Sequence, residues 1–372
     1  MCTDPPIEWC ALRQPAFVLL IIIFLGLAVK VTANGSVLPK NFALLPDDVQ
    51  ALLLEYAFFS NQVNERWGDQ ASFTSQKAYV KYLDDYLSRA TVDFDKGILI
   101  IETLANSEPK KQLKNAIVTA LLTPDDPAQV DLFSARKISA NGKPFLLGQV
   151  LDHHGEAIHY EWRAKKYAQY LIDQRLVIHD TPQGLRYSVN IEMVSNHTQV
   201  AANNIRGWVT QASNRFNLPE SLILAIIETE SGFNPFAVSH ANAYGLMQII
   251  PSTAGADVFQ KVLKKPGQPN RDYLFNAQNN ITVGSAYLTI LRDNYLSKID
   301  NPTSQLYCII SAYNSGSGNV FKTFHHNRKQ AIRRINSLSS EEVLWRLRKH
   351  QPSGEARRYV EKVLAFQKKY YQ

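Results

Sequence analysis

Two glutamates, Glu228 and Glu230, close the most apolar helical stretch of the C-terminal half, SLILAIIETE over residues 221–230. Two residues apart, they point to different sides of a helix, so one can meet solvent or a cation while the other enters a cleft. A carboxyl among apolar neighbours is penalised in its charged form and stays protonated towards neutral pH. Such a group suits general acid chemistry, in which a proton is given to a leaving oxygen. Periodicity by itself favours a plainer alternative, in which both glutamates cap or pair at a helix end.

The residues around Glu230 reverse that preference. Pro219 and Glu220 suit a first helical turn. Gly232 ends the helix, and Asn234-Pro235 prevents its continuation. Ala237-Val238-Ser239, Tyr244-Gly245-Leu246-Met247-Gln248 and Pro251-Ser252-Thr253-Ala254 follow. A second word, Ala312-Tyr313-Asn314, has Gly316 and Gly318 close behind it, and a third, Glu355-x-Arg357-x-Tyr359-Val360, lies near the C-terminus. Each is moderately specific, and the three in this order are very specific. Together they resemble the lysozyme-like domain of the family 1 lytic transglycosylases. The stretches KYLDDYLSRATVDFDKGILIIETLA, DDPAQVDLFSARKIS, PFLLGQVLDHHGEAI and RDYLFNAQNNITVGSAYL narrow the likeness to a membrane-bound, C-type branch. It covers roughly residues 45–372.

The resemblance implies a lytic transglycosylase acting on peptidoglycan, with Glu230 as its single catalytic residue. Glu230 would protonate the β-1,4 glycosidic oxygen between N-acetylmuramic acid and N-acetylglucosamine. It would then draw the proton from the C6 hydroxyl of the same muramic ring, which closes a 1,6-anhydro ring without consuming water. The attack is intramolecular, so positioning lowers much of the barrier. Most glycosidases pair two carboxylates. Here the N-acetyl group of the substrate would stabilise C1, and Asp257, the nearest acid beyond the motif, reads as helix surface.

The same resemblance implies substrate-binding roles. Ser239 would lie near the acid and the N-acetyl group, and Gln248 would bond sugar. Tyr313 and Asn314 would line the cleft, and the Tyr359 hydroxyl would lie near the acid. Tyr244 and Met247 are carried over as cleft residues, with simple core packing as their alternative. For Ser239 the alternative is a turn serine bonding its own backbone; for Gln248 it is a polar group at a helix start. Tyr313 could equally be a half-buried aromatic with a satisfied hydroxyl, and Tyr359 a core residue. Ser231 reads as structural. No cofactor and no metal is implied. Two rivals stand beside this reading: a hydrolytic muramidase with the same acid, and a non-catalytic peptidoglycan-binding module.

The elements that must position these groups fall into two parts. Residues 45–90 read as helical, with Leu52, Leu53, Tyr56 and Phe59, then Tyr79, Tyr82 and Leu83, at spacings of three and four. Asp95-Lys96-Gly97 is a turn signal between Phe94 and the Ile98–Ile101 run. Residues 145–162 suggest a hairpin around Asp152-His153-His154-Gly155, followed by a helix. RYSVNIEMV alternates as a strand, with Tyr187, Val189, Ile191 and Met193 on one face. Beyond residue 200 the substantial segments read as helix, over 201–217, 219–231, 279–297, 302–313, 340–349 and 354–369. The expected fold is an α+β N-terminal domain (36–198) followed by a mainly α, lysozyme-like catalytic domain (199–372).

Residues 1–35 read as a signal peptide or N-terminal membrane anchor, because Ala16 to Val29 is nearly unbroken apolar sequence. Export to the periplasm of a Gram-negative cell, in association with the envelope membrane, is expected. The resembled branch carries a lipidated cysteine after its signal. No cysteine lies between residues 11 and 307 here, which favours a soluble form or a peptide anchor. Cys308, in LYCIISAY, reads as a buried helix residue, and the cysteines offer neither a disulfide framework nor a Cys-rich zinc site.

The net charge of +7 is uneven: residues 201–372 hold 21 Lys/Arg against 11 Asp/Glu. A basic domain suits an acidic partner. Peptidoglycan glycan strands with their carboxylate-bearing stem peptides fit, while no nucleic-acid partner is expected. Cell-wall synthesis or division proteins stand as candidate partners. The pairs His153-His154 and His325-His326 are read as loop residues pointing apart, which is poor metal geometry.

Overall fold

The computed structural model describes residues 42–44, 47–139, 142–239 and 241–371. The apolar run 16–29, Cys2 and Cys10 lie outside them. Among the described residues no helix is long and apolar enough to cross a membrane.

The N-terminal half is built on one antiparallel sheet. Its strands are β1 (Ala78–Leu83), β2 (Ser88–Asp93), β3 (Ile98–Thr103), β4 (Val177–Thr181) and β5 (Gly184–Glu192), in the order β1-β2-β3-β5-β4. Helices α1 (Asp47–Trp67), α2 (Pro109–Leu122) and α3 (Glu161–Gln174) accompany it. The expected α1 forms, as do the turn at Gly97 (φ 64°) and the strand 184–192.

The helix expected over residues 75–90 does not form: this segment is the β1–β2 hairpin. Asp84, Asp85 and Tyr86 turn it, all with positive φ. Val80 and Tyr82 face α1, where they join Phe59, Val63 and Trp67 in a small core. Tyr79 and Leu83 enter the main core. A strand covered on both faces has no polar alternation, so its apolar residues also fit helical spacing. The hairpin expected around residues 152–155 reduces to a tight turn with one isolated bridge, Leu151 to Ala157. There Asp152 accepts the N–H groups of His154 (2.9 Å) and Glu156 (3.0 Å) and pairs with Arg163 at 2.7 Å.

A charged cluster is buried where α1 meets the sheet. Arg89 lies 4.1 Å from the Trp67 ring centroid and donates to Glu102 at 3.0 Å, and Arg186 approaches the other Glu102 oxygen at 3.4 Å. Removing one partner of a buried pair strands the other charge away from water. Glu102→Ala is therefore expected to cost about 3–5 kcal/mol, read as a lower urea midpoint than the parent at equal slope.

The C-terminal half is helical: α4 (His197–Phe216), α5 (Glu220–Ser231), α6 (Ala277–Ile290), α7 (Pro302–Ser315), α8 (Ser317–Phe324), α9 (Arg328–Asn336), α10 (Ser340–His350) and α11 (Gly354–Lys369). Between α5 and α6 the chain makes short helical turns over 251–263 and 271–275. Side-chain caps start several helices: Asn301 accepts from the N–H of Ser304, and Ser339 with Glu342 forms a capping box. Helices α8 and α9 had no expectation. The glycines behind Asn314 read as a loop, yet only Gly316 (φ 79°) leaves helical geometry, and Gly318 lies within α8.

The halves share a core. Tyr79 packs on Phe236 with centroids 4.6 Å apart, and Phe145 meets Phe236 edge-on at 5.3 Å.

Candidate active site

Helix α5 is buried from Ser221 to Glu228. It lies against α11 and α4, and Gly232 (φ 60°) ends it as expected, returning its N–H to the Glu228 carbonyl at 3.1 Å. Ser231 is structural, donating to the Ile227 carbonyl at 3.1 Å. The two glutamates have separate fates. Glu228, only 5% exposed, accepts from Lys369 at 2.9 Å and from the Tyr370 hydroxyl at 2.6 Å, which fastens the end of α11 to α5.

Glu230 is half-buried and, among the described residues, accepts a single side-chain hydrogen bond, from the Tyr359 hydroxyl on α11 at 2.7 Å. Its carboxyl is pushed up to about 7, chiefly because burial penalises the anion. The Tyr359 hydrogen bond and the Lys77 ammonium pull it down, and the Glu355 carboxylate pushes it up. Tyr359 and Tyr313 are both held well above the usual phenol range by burial, and the negative charge of Glu230 adds to each.

Tyr313, on α7, donates its hydroxyl to the Met247 carbonyl at 2.9 Å. Asn314 donates to Glu355 at 3.0 Å. Tyr359 thus bonds Glu230 directly, while the charge of Glu230 also reaches Tyr313 and that of Glu355, the partner of Asn314, reaches Glu230. Helix spacing alone could not show this, because α7 and α11 meet α5 only in the folded molecule.

The loop 236–250 contributes through its backbone. Tyr244 bridges Val238 and Ile249. Asn280, fully buried on α6, accepts the Met247 N–H at 2.8 Å and donates to the carbonyls of Tyr244 and Leu274, both at 2.7 Å. Met247 is buried against Gly284, where an added Cβ would come within 2.4 Å of its sulfur. Tyr244 is 4% exposed, meets Phe275 edge-on and donates to Asn242. For these two side chains the core reading therefore replaces the cleft reading, since both are enclosed by α6 and the turn 271–275.

Ser239 accepts the N–H groups of Ala241 (3.2 Å) and Ala243 (3.1 Å), which is the turn role. Gln248 (φ 49°) donates to the carbonyls of Ala237 (3.2 Å) and Gly245 (2.9 Å), while its buried Oε1 has no partner among the described residues. That leaves an acceptor for a donor from outside the protein.

Three residues near the carboxyl or its loop escaped sequence reading. Glu355 lay within a quoted motif, and Asn280 within NAQNNITVG. Lys77 had no signal, because nothing in a lysine before a strand shows where its ammonium will reach. Asp257 accepts from Lys261, four residues on, and from the Tyr295 hydroxyl beyond α6, each at 2.8 Å, and so is taken up by structural contacts. Cys308 is buried and free, its thiol pushed up by burial. The histidine pairs do not point apart: ring centroids are 4.0 Å apart for His153–His154 and 4.1 Å for His325–His326, because tight turns fold the neighbouring rings together. Among the described residues no group of three or more His, Cys, Asp or Glu could hold a metal.

Residues 208–336 match the family described as the transglycosylase SLT domain. Residues 46–204 match the membrane-bound lytic murein transglycosylase C, N-terminal domain. The protein named membrane-bound lytic murein transglycosylase C of Klebsiella pneumoniae (strain 342) is 44% identical over 314 residues, 84% of this chain and 87% of its own length. That of Cronobacter sakazakii is 45% identical over the same shares. Two solved structures align over 44% of this chain and 23% of their own. They are an inactive mutant of lytic transglycosylase Slt from Pseudomonas aeruginosa (25% identity, TM-score 0.35) and the 70 kDa soluble lytic transglycosylase from Escherichia coli (26%, 0.33).

The helical half is thus the SLT domain of a lytic transglycosylase. With the N-terminal match added, the chain belongs to the membrane-bound lytic murein transglycosylase C family.

Proposed function

We propose that this enzyme cleaves the β-1,4 bond between N-acetylmuramic acid and N-acetylglucosamine in peptidoglycan and leaves 1,6-anhydromuramyl ends, with Glu230 as acid and then base. The observation that carries the reading is a half-buried carboxyl held near neutrality at a helix end, with one tyrosine as its only side-chain hydrogen-bond partner among the described residues. Its proton passes to the glycosidic oxygen as the bond to C1 breaks, and the N-acetyl oxygen of the substrate shares the charge at C1. The Glu230 carboxylate then takes the C6 hydroxyl proton as that oxygen bonds to C1. The acid is regenerated and no water enters. Tyr359 steadies the carboxylate between the two steps, and Tyr313 fixes the loop 236–250 through the Met247 carbonyl. Asn314, the free Gln248 Oε1 and the turn at Ser239 are the groups we assign to sugar.

Glu355 supports a second reading. It is exposed, it is bonded by Asn314, and its charge is felt at Glu230. Glycosidases that use water pair two such carboxylates, so Glu355 could activate water in a muramidase. Mass spectrometry of the soluble products from purified sacculi separates the two. Anhydro ends, lighter by one water than reducing ends, are expected throughout. Reducing ends would replace this reading with the hydrolytic one.

The surplus of positive charge in residues 201–372 suits carboxylate-bearing stem peptides. Action on peptidoglycan calls for the periplasm, and the membrane-bound relatives, by their name, support association with a membrane.

A further inference from the structure

The seam between the halves passes directly beneath the candidate acid. Asn234 is fully buried and donates to the carbonyls of Ser75 and Gln76, both at 3.3 Å, and its own Oδ1 accepts the Phe236 N–H at 3.0 Å. This fixes the two residues before Lys77. The Lys77 ammonium crosses the seam and donates to the Glu228 carbonyl in the last turn of α5. On its own side it is steadied by Asp95 at 3.7 Å, from the β2–β3 turn. The fit is close: a Cβ on Gly232 would stand 3.3 Å from Phe94 and 3.4 Å from the Lys77 side chain.

The carbonyls at the C-terminal end of a helix carry partial negative charge. A carboxylate formed there is opposed by that end of the helix as well as by burial. Lys77 places a full positive charge on one of these carbonyls, two residues before Glu230. We propose that Lys77, from the N-terminal half, is a positioning residue for the transglycosylase reaction: it holds the last turn of α5 and offsets the helix end, so that Glu230 can carry negative charge between its acid and base steps. This gives the N-terminal half a part in the chemistry, and it rests on the reading of Glu230 as the acid.

The other charged and titratable groups here are accounted for. Tyr359 and Glu355 face Glu230 from α11, and Tyr313 faces it from α7. Asp95, Glu228 and Lys362 surround Lys77. His197 and Lys369 lie by Glu228. Among the described residues Lys77 is the one cation that acts on the Glu230 carboxyl, and it lowers the carboxyl while Glu355 raises it.

The test is the pH dependence of soluble muropeptide release from purified sacculi by the full chain and its Lys77→Gln and Lys77→Arg variants. The alkaline limb reports loss of the acid's proton. Removing the cation makes Glu230 a weaker acid, so Lys77→Gln should move that limb upward by about 0.5 pH unit or more. Release on the acid side of the limb, where Glu230 is fully protonated in both proteins, should fall several-fold, because the proton is given up less readily and the last turn of α5 is less firmly held. Lys77→Arg, which keeps the charge and a donor, should return the limb to its original place.

A seam residue with only a structural role would lower the unfolding temperature without moving the limb, and would not distinguish arginine from glutamine. A folded Lys77→Gln protein whose limb coincides with the parent overturns the proposal, as does a Lys77→Arg limb displaced as far as that of Lys77→Gln. Glu230→Gln separates the two levels. If it is active, the assignment of the acid fails. If it is inactive and the Lys77→Gln limb is unmoved, only the role of Lys77 falls.

Discussion

Glu230→Gln should abolish release of soluble muropeptides from sacculi, a loss of about a thousandfold or more, in line with the removal of a general acid and base. Glutamine matches the carboxylate in shape and can still accept from Tyr359, so binding of glycan strands should persist. It cannot deliver a proton to the glycosidic oxygen or take one from the C6 hydroxyl. The parent enzyme should lose activity as pH rises through about 7, where the Glu230 carboxyl ionises. Persistent release by the variant would remove Glu230 from the mechanism.

The same substitution has a stability signature of opposite sign. The Glu230 carboxyl titrates at about 7 in the folded protein and at about 4.3 in an unfolded chain. Between those values the folded state keeps a proton that the unfolded state has released, so stability falls as pH rises. The loss is complete above about 7 and amounts to at most about 3 kcal/mol, because part of the residue still meets water. Glu230→Gln carries no charge to bury. It should therefore melt above the parent at pH 8 and close to it at pH 4. An inactive variant that is also stabilised at pH 8 has not lost its fold.

Gly245→Ala should be the most damaging small substitution near the site. Gly245 has φ 72°, in the left-handed region that L side chains avoid. A Cβ there would stand 2.4 Å from Asn280 Nδ2 and 2.7 Å from the Leu274 carbonyl oxygen. The second contact is backbone and cannot rotate away, so strain and overpacking together should cost about 3 kcal/mol. Asn280 would also be pushed off the Met247 N–H, two residues before which the loop turns, and the Met247 carbonyl would move from the Tyr313 hydroxyl. Unfolding in urea and muropeptide release should both report it: a clearly lower midpoint, and activity reduced further than the unfolded fraction explains. A midpoint within about 0.5 kcal/mol of the parent would show that the loop has room the geometry denies it.

Much of the site was legible because its parts are local. An apolar run that stops at two glutamates and a glycine describes α5 and its end, since burial and the left-handed cap depend on residues a few positions apart. The roles of Ser231 and Cys308 followed in the same way. The hairpin at residues 78–93 was not legible. Its strands are covered on both faces by α1 and the main core, and two-sided burial erases the alternation by which a strand is read. Tyr244 and Met247 were left between core and cleft for a related reason: a family word marks a loop as important without telling whether a side chain or a backbone carbonyl acts.

Sequence alone determined the helix that presents the carboxyl, the glycine that ends it and the sides on which its two glutamates lie, because these depend on residue type and short-range periodicity; the chemistry expected of Glu230 came from the resemblance of the motifs around it. No periodicity or local spacing could show what surrounds that carboxyl: the resemblance pointed to Tyr359, and only the tertiary structure brought in Lys77 and Glu355. Tyr359 arrives 129 residues later in the chain, and Lys77 bonds α5 from 151 residues before it. The acidity of a buried group is set by whatever packing brings within a few ångströms, and distance along the chain carries no record of that.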